Sequence, residues 1–233
     1  MRHAVVITAA GASLRFNGNS GDNPHFKKEF FTLGGHAVLY RALKPFTEVD
    51  GLCAVAVTYA EGCERETVEA LENLCSECKI PLFTVCGGRT RQISVCNALS
   101  ELHRHRKELD IEFVSIHDGA RPFVSRDLIK RCLEKASDSG ACVPSLPVTD
   151  TVVFTDGKMI TGTADRQSLR SVQTPQVFAF PDIFDAHLKA REAGEENYTD
   201  DSQLFMAYGG EVAVTDGDRT NIKITYREDL KGR

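Results

Sequence analysis

The amino-acid sequence predicts an α/β fold with a doubly wound, mainly parallel sheet, in a single domain over residues 1–233. The first observation is that strand-like and helix-like segments alternate along the chain, which is typical of βαβ units. The second is that the strand-like segments are rich in Val, Ile and Phe, as strands buried on both faces require. The third is composition, because 42% hydrophobic and 26% charged residues in 233 suffice for one sizeable core.

Each predicted element follows from apolar spacing, with period 2 or a short apolar run for strands and period 3.6 for helices. Ser125 is the expected N-cap of the helix that follows it. In chain order, the predicted elements are strand 4–8, helix 36–46, strand 52–59, helix 64–79, strand 81–86, helix 90–107, strand 112–117, helix 125–139, helices 181–193 and 199–208, and strands 211–215 and 221–225.

The alternation breaks between residues 142 and 166. Asp156-Gly157 separates two β-rich runs there, and this dipeptide favours a tight hairpin turn. The sequence therefore predicts a β-hairpin arm that protrudes from the body over about residues 146–170. Such an arm contacts a partner subunit, covers a site as a lid, or is merely an edge hairpin.

The charge balance favours a small-molecule ligand. A formal net charge of -5 opposes binding to nucleic acid or to an anionic membrane, since both require basic surfaces. The N-terminus enters a strand-like run directly, and no stretch of about 18 apolar residues occurs, so we expect a cytoplasmic protein.

The cysteines are scattered, and Cys75 and Cys78 form the only close pair. Both recur at helical intervals with Val68, Leu71 and Leu74. This spacing predicts core thiols on a helix, in preference to a zinc or redox site.

The loops that follow the strands are the candidate site, because open α/β sheets bind ligands beyond the carboxyl ends of their strands. After the first strand, the small residues of AAGAS let backbone N–H groups approach a polyphosphate, and Arg15 adds a cation. The same turn is compatible with ordinary packing, and it matches neither the dinucleotide fingerprint nor the P-loop. Lys27 and Lys28 follow a polar loop, where an ammonium can reach a phosphate or simply be solvated.

Two further loops carry polar groups. The segment GGRTRQIS combines a glycine turn with a helix start, so its main chain and a hydroxyl can hydrogen-bond a base edge. The segment HDGARP sets Asp118 and Arg121 at the end of a buried strand. A carboxylate at that place suits a metal-bound triphosphate or a ribose hydroxyl.

A series of short strings then occurs in fixed order along nearly the whole chain: AAGAS-LR, KKEF, GG-x-x-R-x-x-SV, HDGARP, PVTDT, ADR-x-x-L, QTPQ-x-F, TDD and NIKIT. In this order they resemble the 2-C-methyl-D-erythritol 4-phosphate cytidylyltransferase family. The resemblance implies a Rossmann-like nucleotidyltransferase fold, a homodimer formed through the β-arm, and Mg²⁺ as the cofactor. It further implies transfer of CMP from CTP to a sugar-alcohol phosphate, methylerythritol phosphate, with release of pyrophosphate, in isoprenoid precursor synthesis.

The resemblance also implies a role for each matching position. Arg15 and Lys28 would stabilise charge on the α-phosphate during catalysis. The implied nucleotide-binding residues are Ala9, Ala10, Gly11, Ala12 and Ser13 for the phosphates, Gly87 and Ser94 for cytosine, and Asp118 for ribose and, directly or through water, the metal. The implied residues for the second substrate's phosphate are Arg121, Thr151, Arg166, Thr174 and Lys223. Thr151 and Arg166 fall in or beside the arm, so we expect them to serve the neighbouring subunit's site.

Some positions depart from the family's pattern. Ser13 replaces a usual glycine, Glu29 replaces a usual glutamine, and the loop over residues 17–25 is longer than usual. Arg89 stands where an acidic residue is frequent. The choice of Lys28 over Lys27 rests on the FFTLGG that follows.

Other functions remain open at this point. A cytidylyltransferase for ribitol 5-phosphate shares the CTP apparatus, although LRSVQTPQVF favours the methylerythritol enzyme. A catalytically silent nucleotide-binding module would not need the full set Arg15, Lys28, Asp118, Arg166 and Lys223. An NAD-dependent oxidoreductase would need the glycine fingerprint and an acidic residue about 20 positions later. Because the chain ends soon after NIKITYREDL, we expect one activity rather than a fusion to the next synthase.

Overall fold

The computed structural model describes residues 1–17 and 27–230, so most of the predicted long loop over 17–25 lies outside the described residues. The strands are β1 His3–Ala9, β2 Thr32–Leu33, β3 His36–Ala37, β4 Leu52–Tyr59, β5 Leu82–Cys86, β6 Phe113–Asp118, β7 Ala141–Pro147, β8 Val153–Thr155, β9 Ile160–Thr163, β10 Arg170–Val172, β11 Gln176–Ala179 and β12 Ala213–Asp216. The helices are α1 Leu14–Asn17, α2 Val38–Leu43, α3 Glu64–Glu77, α4 Arg91–Leu109, α5 Arg126–Ser139, α6 Phe180–Glu192 and α7 Asp201–Ala207.

The central sheet has the strand order β10-β7-β11-β6-β1-β4-β5, and β12 also pairs with β7. Strands β5, β4, β1 and β6 are parallel neighbours, as is the pair β7–β12. Strand β11 is inserted antiparallel between β6 and β7, and β10 is antiparallel to β7. The predicted doubly wound, mainly parallel sheet is confirmed, with this antiparallel insertion as an addition.

Strand β1 shows how the sequence builds two core layers. Its side chains alternate between the faces of the sheet, so Ala4 and Val6 enter one apolar cluster while Val5 and Ile7 enter the other. Helices α4, α6 and α7 cover the first face, and α2, α3 and α5 cover the second. Because both faces are buried, the carboxyl ends of the strands are left as the place where loops can form a site.

The helices cover the sheet with amphipathic faces. Ser125 caps α5 as predicted, because its hydroxyl accepts the Leu128 N–H at 3.2 Å. Cys75 on α3 is buried in the core, and Cys78, which caps the end of α3, packs against the core, which confirms the interpretation of both as core thiols. In the part of the chain that the structure describes, no helix has both the length and the apolar character that crossing a bilayer demands.

Two predicted elements are wrong or altered. Residues 221–225 form no strand, because the backbone of this segment bonds loops instead of a ladder, as in the Ile224 N–H to Ala120 carbonyl contact at 2.8 Å. The predicted helix 36–46 begins as the short strand β3 and continues as α2 and a 3₁₀ turn, Lys44–Glu48, that contains Pro45. Proline lacks the N–H that a continuous α-helix needs there.

The predicted hairpin is present as β8 and β9, which pair antiparallel outside the central sheet. Asp156 Oδ1 accepts the N–H groups of Lys158 and Met159, each at 2.9 Å, and Gly157 has φ 95°. Phe154, Met159 and Ile160 are exposed on the arm. The arm thus presents apolar side chains away from the core of its own chain.

Candidate active site

A cavity of about 590 Å³ opens at the carboxyl ends of β1, β4 and β6. Among the residues predicted from the sequence, those that line it are Ala10, Gly11, Ala12, Ser13, Arg15, Lys28, Ser94, Asp118 and Lys223. The predicted residues that do not line it are Ala9, Gly87, Arg121, Thr151, Arg166 and Thr174. The structure therefore gathers the loop after β1 (residues 10–13), Lys28, Lys223 and Asp118 around one cavity, and it holds the arm residues Thr151 and Arg166 apart from them.

The loop after β1 leads directly into the turn that carries Arg15. Ser13 has φ 53°, a left-handed conformation that favours glycine, and its carbonyl accepts the N–H groups of Phe16 and Asn17 at 3.1 and 3.0 Å. Ala9 is the buried last residue of β1, and its N–H donates to Thr58 Oγ1 at 3.1 Å. Ala9 thus supports the loop from beneath, whereas Ala10 to Ser13 line the cavity.

The two adjacent lysines have different surroundings. Lys28 lines the cavity, and its Nζ donates to the Ile224 carbonyl at 2.7 Å. Burial lowers the pKa of the Lys28 ammonium, and the neighbouring Glu29 carboxylate opposes this shift. Lys27 instead donates from Nζ to the Gly11 carbonyl at 3.0 Å, so it braces the loop. Of the two ammonium groups, Lys28 is the one placed at the cavity wall.

Asp118, at the end of β6, is surrounded by cations. Its Oδ2 lies 3.0 Å from Lys223 Nζ and 3.2 Å from Arg121 Nε, and its Oδ1 lies 3.8 Å from Arg91 Nε. Burial alone would raise the pKa of this carboxyl, but Lys223, Arg91 and Arg121 together hold it well below its usual range. Asp118 therefore stays ionised at neutral pH and is unsuited to proton transfer.

A buried hydrogen-bond chain lies beneath Asp118. The Asp118 N–H donates to Thr174 Oγ1 at 3.1 Å, and the Thr174 hydroxyl lies 3.0 Å from His117 Nδ1. His117 Nε2 lies 3.2 Å from the Arg121 carbonyl oxygen, which can only accept, so Nε2 carries the proton and Nδ1 accepts from Thr174. Burial lowers the pKa of His117 to about 4, which agrees with this neutral tautomer. Thr174 therefore holds the Asp118 backbone directly and the Arg121 backbone through His117, and it does not line the cavity.

Arg91 was not among the residues predicted from the sequence, but it lines the cavity from the first turn of α4. Its guanidinium nitrogen lies 2.7 Å from Asp201 Oδ2, and the other oxygen of Asp201 lies 3.3 Å from His187 Nε2. Asp201 and His187 are almost fully buried. Burial disfavours the charge on Arg91, but Asp201 and Asp118 more than offset this and raise the Arg91 pKa. The GG-x-x-R and TDD strings contained these residues, but their pairing joins α4 to α7 and cannot be read from spacing.

The two glycines of the turn before α4 lie in different surroundings. Gly88 lines the cavity, whereas a Cβ on Gly87 would lie 2.2 Å from the Ala10 Cβ. Gly87 therefore allows close packing against Ala10 in the loop after β1. Ser94 Oγ accepts the Gly88 N–H at 3.0 Å and donates to the Thr90 carbonyl at 2.9 Å, so it fixes the turn that lines the cavity.

Thr151 and Arg166 lie at the base of the arm and are exposed. Arg166 donates from its guanidinium to the Thr149 carbonyl at 3.0 Å, which orders the arm internally. Within one chain, neither residue lines the cavity. Arg121, by contrast, lies just behind the wall and donates to the Asn221 carbonyl at 2.8 Å, which anchors the segment that carries Lys223.

The sheet topology, with a cavity at the carboxyl ends of its strands, is that of the Rossmann-like nucleotidyltransferase fold. A family model described as IspD, 2-C-methyl-D-erythritol 4-phosphate cytidylyltransferase, matches residues 3–232, and the chain belongs to this family. The resemblance inferred from the sequence strings is confirmed.

Curated relatives and solved structures agree with this assignment. The 2-C-methyl-D-erythritol 4-phosphate cytidylyltransferase of Geobacillus thermodenitrificans is 38% identical over 230 residues, which cover 99% of this chain and 94% of the relative. The bifunctional enzyme IspD/IspF of Bradyrhizobium diazoefficiens is 37% identical over 98% of this chain, which spans only 54% of the relative's length. The crystal structure of the cytidylyltransferase from Thermus thermophilus superposes with a TM-score of 0.74 at 34% identity, covering 97% of this chain and 94% of that one.

Proposed function

We propose that this protein transfers CMP from CTP to 2-C-methyl-D-erythritol 4-phosphate and releases pyrophosphate. The observation that carries the proposal is the convergence of Arg15, Lys28 and Lys223 on one cavity beside the ionised Asp118. Three cations and backbone N–H groups around an open cavity suit a polyphosphate and a second phosphate held side by side. Two curated relatives, 36% and 38% identical to this chain, are 2-C-methyl-D-erythritol 4-phosphate cytidylyltransferases, which supports the same reaction.

In the proposed reaction, an oxygen of the sugar-alcohol phosphate attacks the α-phosphorus of CTP. The bond between the α-phosphorus and the bridging oxygen breaks, and pyrophosphate leaves with the electron pair. Since the substrate phosphate is the nucleophile, the protein need not supply one. Its contribution is alignment and charge stabilisation, which Arg15 and Lys28 would provide at the α-phosphate.

For the base and ribose of CTP, the proposed contacts are the Gly88 turn, Ser94 and Asp118. The turn is held rigid by the Ser94 hydroxyl, which leaves the main chain of the turn to read a base edge. Arg91, fixed by Asp201, adds a cation at the same wall of the cavity.

Mg²⁺ is proposed as the cofactor, with Asp118 as its protein ligand, directly or through water. Among the described residues no group of three or more His, Cys, Asp or Glu side chains could cage a metal, so most ligands must come from phosphates and water. This fits Mg²⁺, which commonly takes one or two carboxylates together with substrate phosphates. Oδ1 of Asp118 is the less engaged oxygen, since both of the closest cations lie at Oδ2. When bound, the ion would neutralise charge on the triphosphate.

The active site is further proposed to be composite, in a homodimer formed through the arm. Phe154, Met159 and Ile160 form an exposed apolar surface that no other described residue of the same chain covers, as is typical of a surface that contacts a partner. An arm that crosses to a second copy would carry Thr151 and Arg166 toward the partner's cavity. Arg166 would then bind the attacking phosphate, which suits a planar guanidinium.

The decisive experiment is pyrophosphate release by the purified chain with CTP and Mg²⁺. Methylerythritol phosphate should support turnover at least about 100-fold more efficiently than ribitol 5-phosphate. Equal or better use of ribitol 5-phosphate would replace the substrate assignment. Absence of pyrophosphate release with either acceptor, while CTP still raises the melting temperature, would instead point to the silent nucleotide-binding module.

A further inference from the structure

Ser13 and Glu29, two positions that depart from the family's pattern, contact each other. Ser13 Oγ donates a hydrogen bond to Glu29 Oε2 at 3.2 Å. Glu29 is 3% exposed and lies at the cavity wall. The pair therefore joins the loop after β1 to the segment that carries the lysines, although the two residues are 16 positions apart in the sequence.

Each partner belongs to a turn that carries one of the two catalytic cations. The Ser13 carbonyl begins the turn of Arg15, through the N–H groups of Phe16 and Asn17. Glu29 follows Lys28 in the 3₁₀ turn Lys28–Phe30, and the Lys28 N–H also points to Ser13 Oγ at 3.5 Å. A single side-chain contact thus connects the turn of Arg15 with the turn of Lys28.

The left-handed backbone conformation of Ser13 is stabilised by this contact. Its φ of 53° is unfavourable for a residue with a Cβ, and a hydroxyl bonded to a carboxylate can offset that cost. The Glu29 carboxylate is buried in turn, and a buried carboxylate is stable only with hydrogen-bond donors or cations close to it. Ser13, Lys28 and Lys27 supply these.

We propose that the Ser13–Glu29 hydrogen bond is a positioning contact, which sets the separation of Arg15 and Lys28 for the transfer step. Glu29 acts through Ser13 and Lys28, so it is a positioning residue. The inference rests on the proposed function, and it assigns to that reaction a residue without a substrate role. Its signature should be a loss of kcat with little change in substrate binding, because cation geometry at the transition state is altered.

The test is a double-mutant cycle of Ser13→Ala, Glu29→Ala and the double variant, with kcat and the KM for CTP measured for each. Each single variant should lose about 10-fold in kcat, with KM changed less than about 3-fold. The double variant should fall no more than about 2-fold below the worse single variant, since one contact is lost in all three. Glu29→Gln keeps an acceptor oxygen and should stay within about 3-fold of wild type. The matched control is Thr84→Ala, because Thr84 donates to the Glu64 carboxylate at 3.3 Å outside this cavity.

Additive losses in the cycle would overturn the proposal, as would an unchanged kcat in either single variant. Equal loss in Glu29→Gln and Glu29→Ala would overturn it too, because charge and not the hydrogen bond would then matter. If Ser13→Ala does not fold, as judged by thermal unfolding, the comparison of Glu29→Gln with Glu29→Ala decides alone. An inactive wild-type chain would contradict the proposed function, and this result is distinct from an active wild type with insensitive variants.

Discussion

The ammonium of Lys223 lies 3.0 Å from Oδ2 of Asp118, and the Lys223 side chain has more room to move than the Asp118 side chain. Asp118 is buried and fixed by the Thr174 hydroxyl, whereas the Lys223 side chain is 38% exposed. A lysine ammonium is a point charge on a flexible stem, so it can exchange one anion for another. Lys223 is therefore the cation at Asp118 that can exchange the carboxylate for the phosphate of the proposed substrate, whereas the Arg121 side chain, only 11% exposed, stays on the carboxylate.

The first prediction concerns Asp118→Asn. Removal of the carboxylate leaves Arg91, Arg121 and Lys223 without their shared counterion, and it removes the proposed Mg²⁺ ligand. We expect kcat/KM for CTP to fall about 100-fold or more, with a higher Mg²⁺ requirement and a nearly unchanged affinity for methylerythritol phosphate. Steady-state kinetics over CTP and Mg²⁺ concentrations measure the first two, and calorimetric titration with methylerythritol phosphate measures the third.

Asp216→Asn is the matched control for that variant, because Asp216 is an exposed carboxylate 3.3 Å from Arg170. Its CTP and Mg²⁺ dependence should equal that of wild type. If Asp118→Asn shows the same metal and CTP dependence as the control, Asp118 has neither the nucleotide nor the metal role.

The second prediction separates the adjacent lysines. Lys28→Ala should lower kcat about 100-fold or more, because Lys28 lines the cavity, and Arg15→Ala should do likewise. Lys27→Ala should lower kcat about 10-fold or less, since Lys27 does not line the cavity and donates only to the Gly11 carbonyl. Single-turnover pyrophosphate release measures all three, and Lys44→Ala at a surface ion pair serves as control. The reverse order of the two lysines would show that the register is wrong.

The third prediction is a dependence of stability on pH. The pKa of buried His117 is lowered from 6.5 to about 4, so the unfolded chain binds the proton more readily than the folded chain does. The resulting stability is present above about pH 6.5 and is lost as pH falls toward 4, at about 3 kcal/mol for full loss. His117→Asn should therefore flatten the plot of unfolding free energy against pH over this interval. His3, whose pKa burial also lowers to about 4, will retain part of the slope.

Denaturant titrations at half-unit pH intervals give these free energies. Gln203→Asn, at an exposed residue without a titratable group, is the control and should leave the slope unchanged. If His117→Asn keeps the full slope, His117 does not titrate as its burial requires.

The sequence predicted the parallel half of the fold well, because its strands are continuous apolar runs whose register follows from burial on both faces. Strand β1 is an example, since adjacent residues serve opposite core layers. The antiparallel strand β11 was missed because it has only four residues and depends on long-range pairing, such as Gln176 with Ile116. The strand predicted over 221–225 is wrong because the β-branched residues of this segment produce a strand-like pattern without a neighbouring strand to pair with. Ile224 is buried, but its N–H donates to the Ala120 carbonyl in a loop.

For the site, spacing located the loops but not the contacts between them. Thr174 was expected at a phosphate, yet its hydroxyl is engaged by His117 and by the Asp118 N–H. Arg91 was missed because its partner Asp201 lies far along the chain. Such pairings depend on the tertiary structure, and no local pattern encodes them.

The last prediction concerns the arm, where Arg166 and Lys28 belong to different parts of one chain. Arg166 is exposed and bonded to the Thr149 carbonyl, while Lys28 lines the cavity. If the arm of one subunit completes the partner's site, Arg166→Ala and Lys28→Ala each inactivate both sites of their own homodimer.

Mixing the two variants under conditions of subunit exchange should then restore activity. In each heterodimer one site carries both defects and the other carries neither, so random pairing should give about a quarter of the wild-type activity. Light scattering establishes the dimer, and pyrophosphate release before and after exchange measures the recovery. A mixture of Lys28→Ala and Arg15→Ala subunits is the control and should stay inactive, because Arg15 and Lys28 line the same chain's cavity. Subunits that exchange freely without recovery in the Arg166→Ala mixture would show that each site is built from one chain.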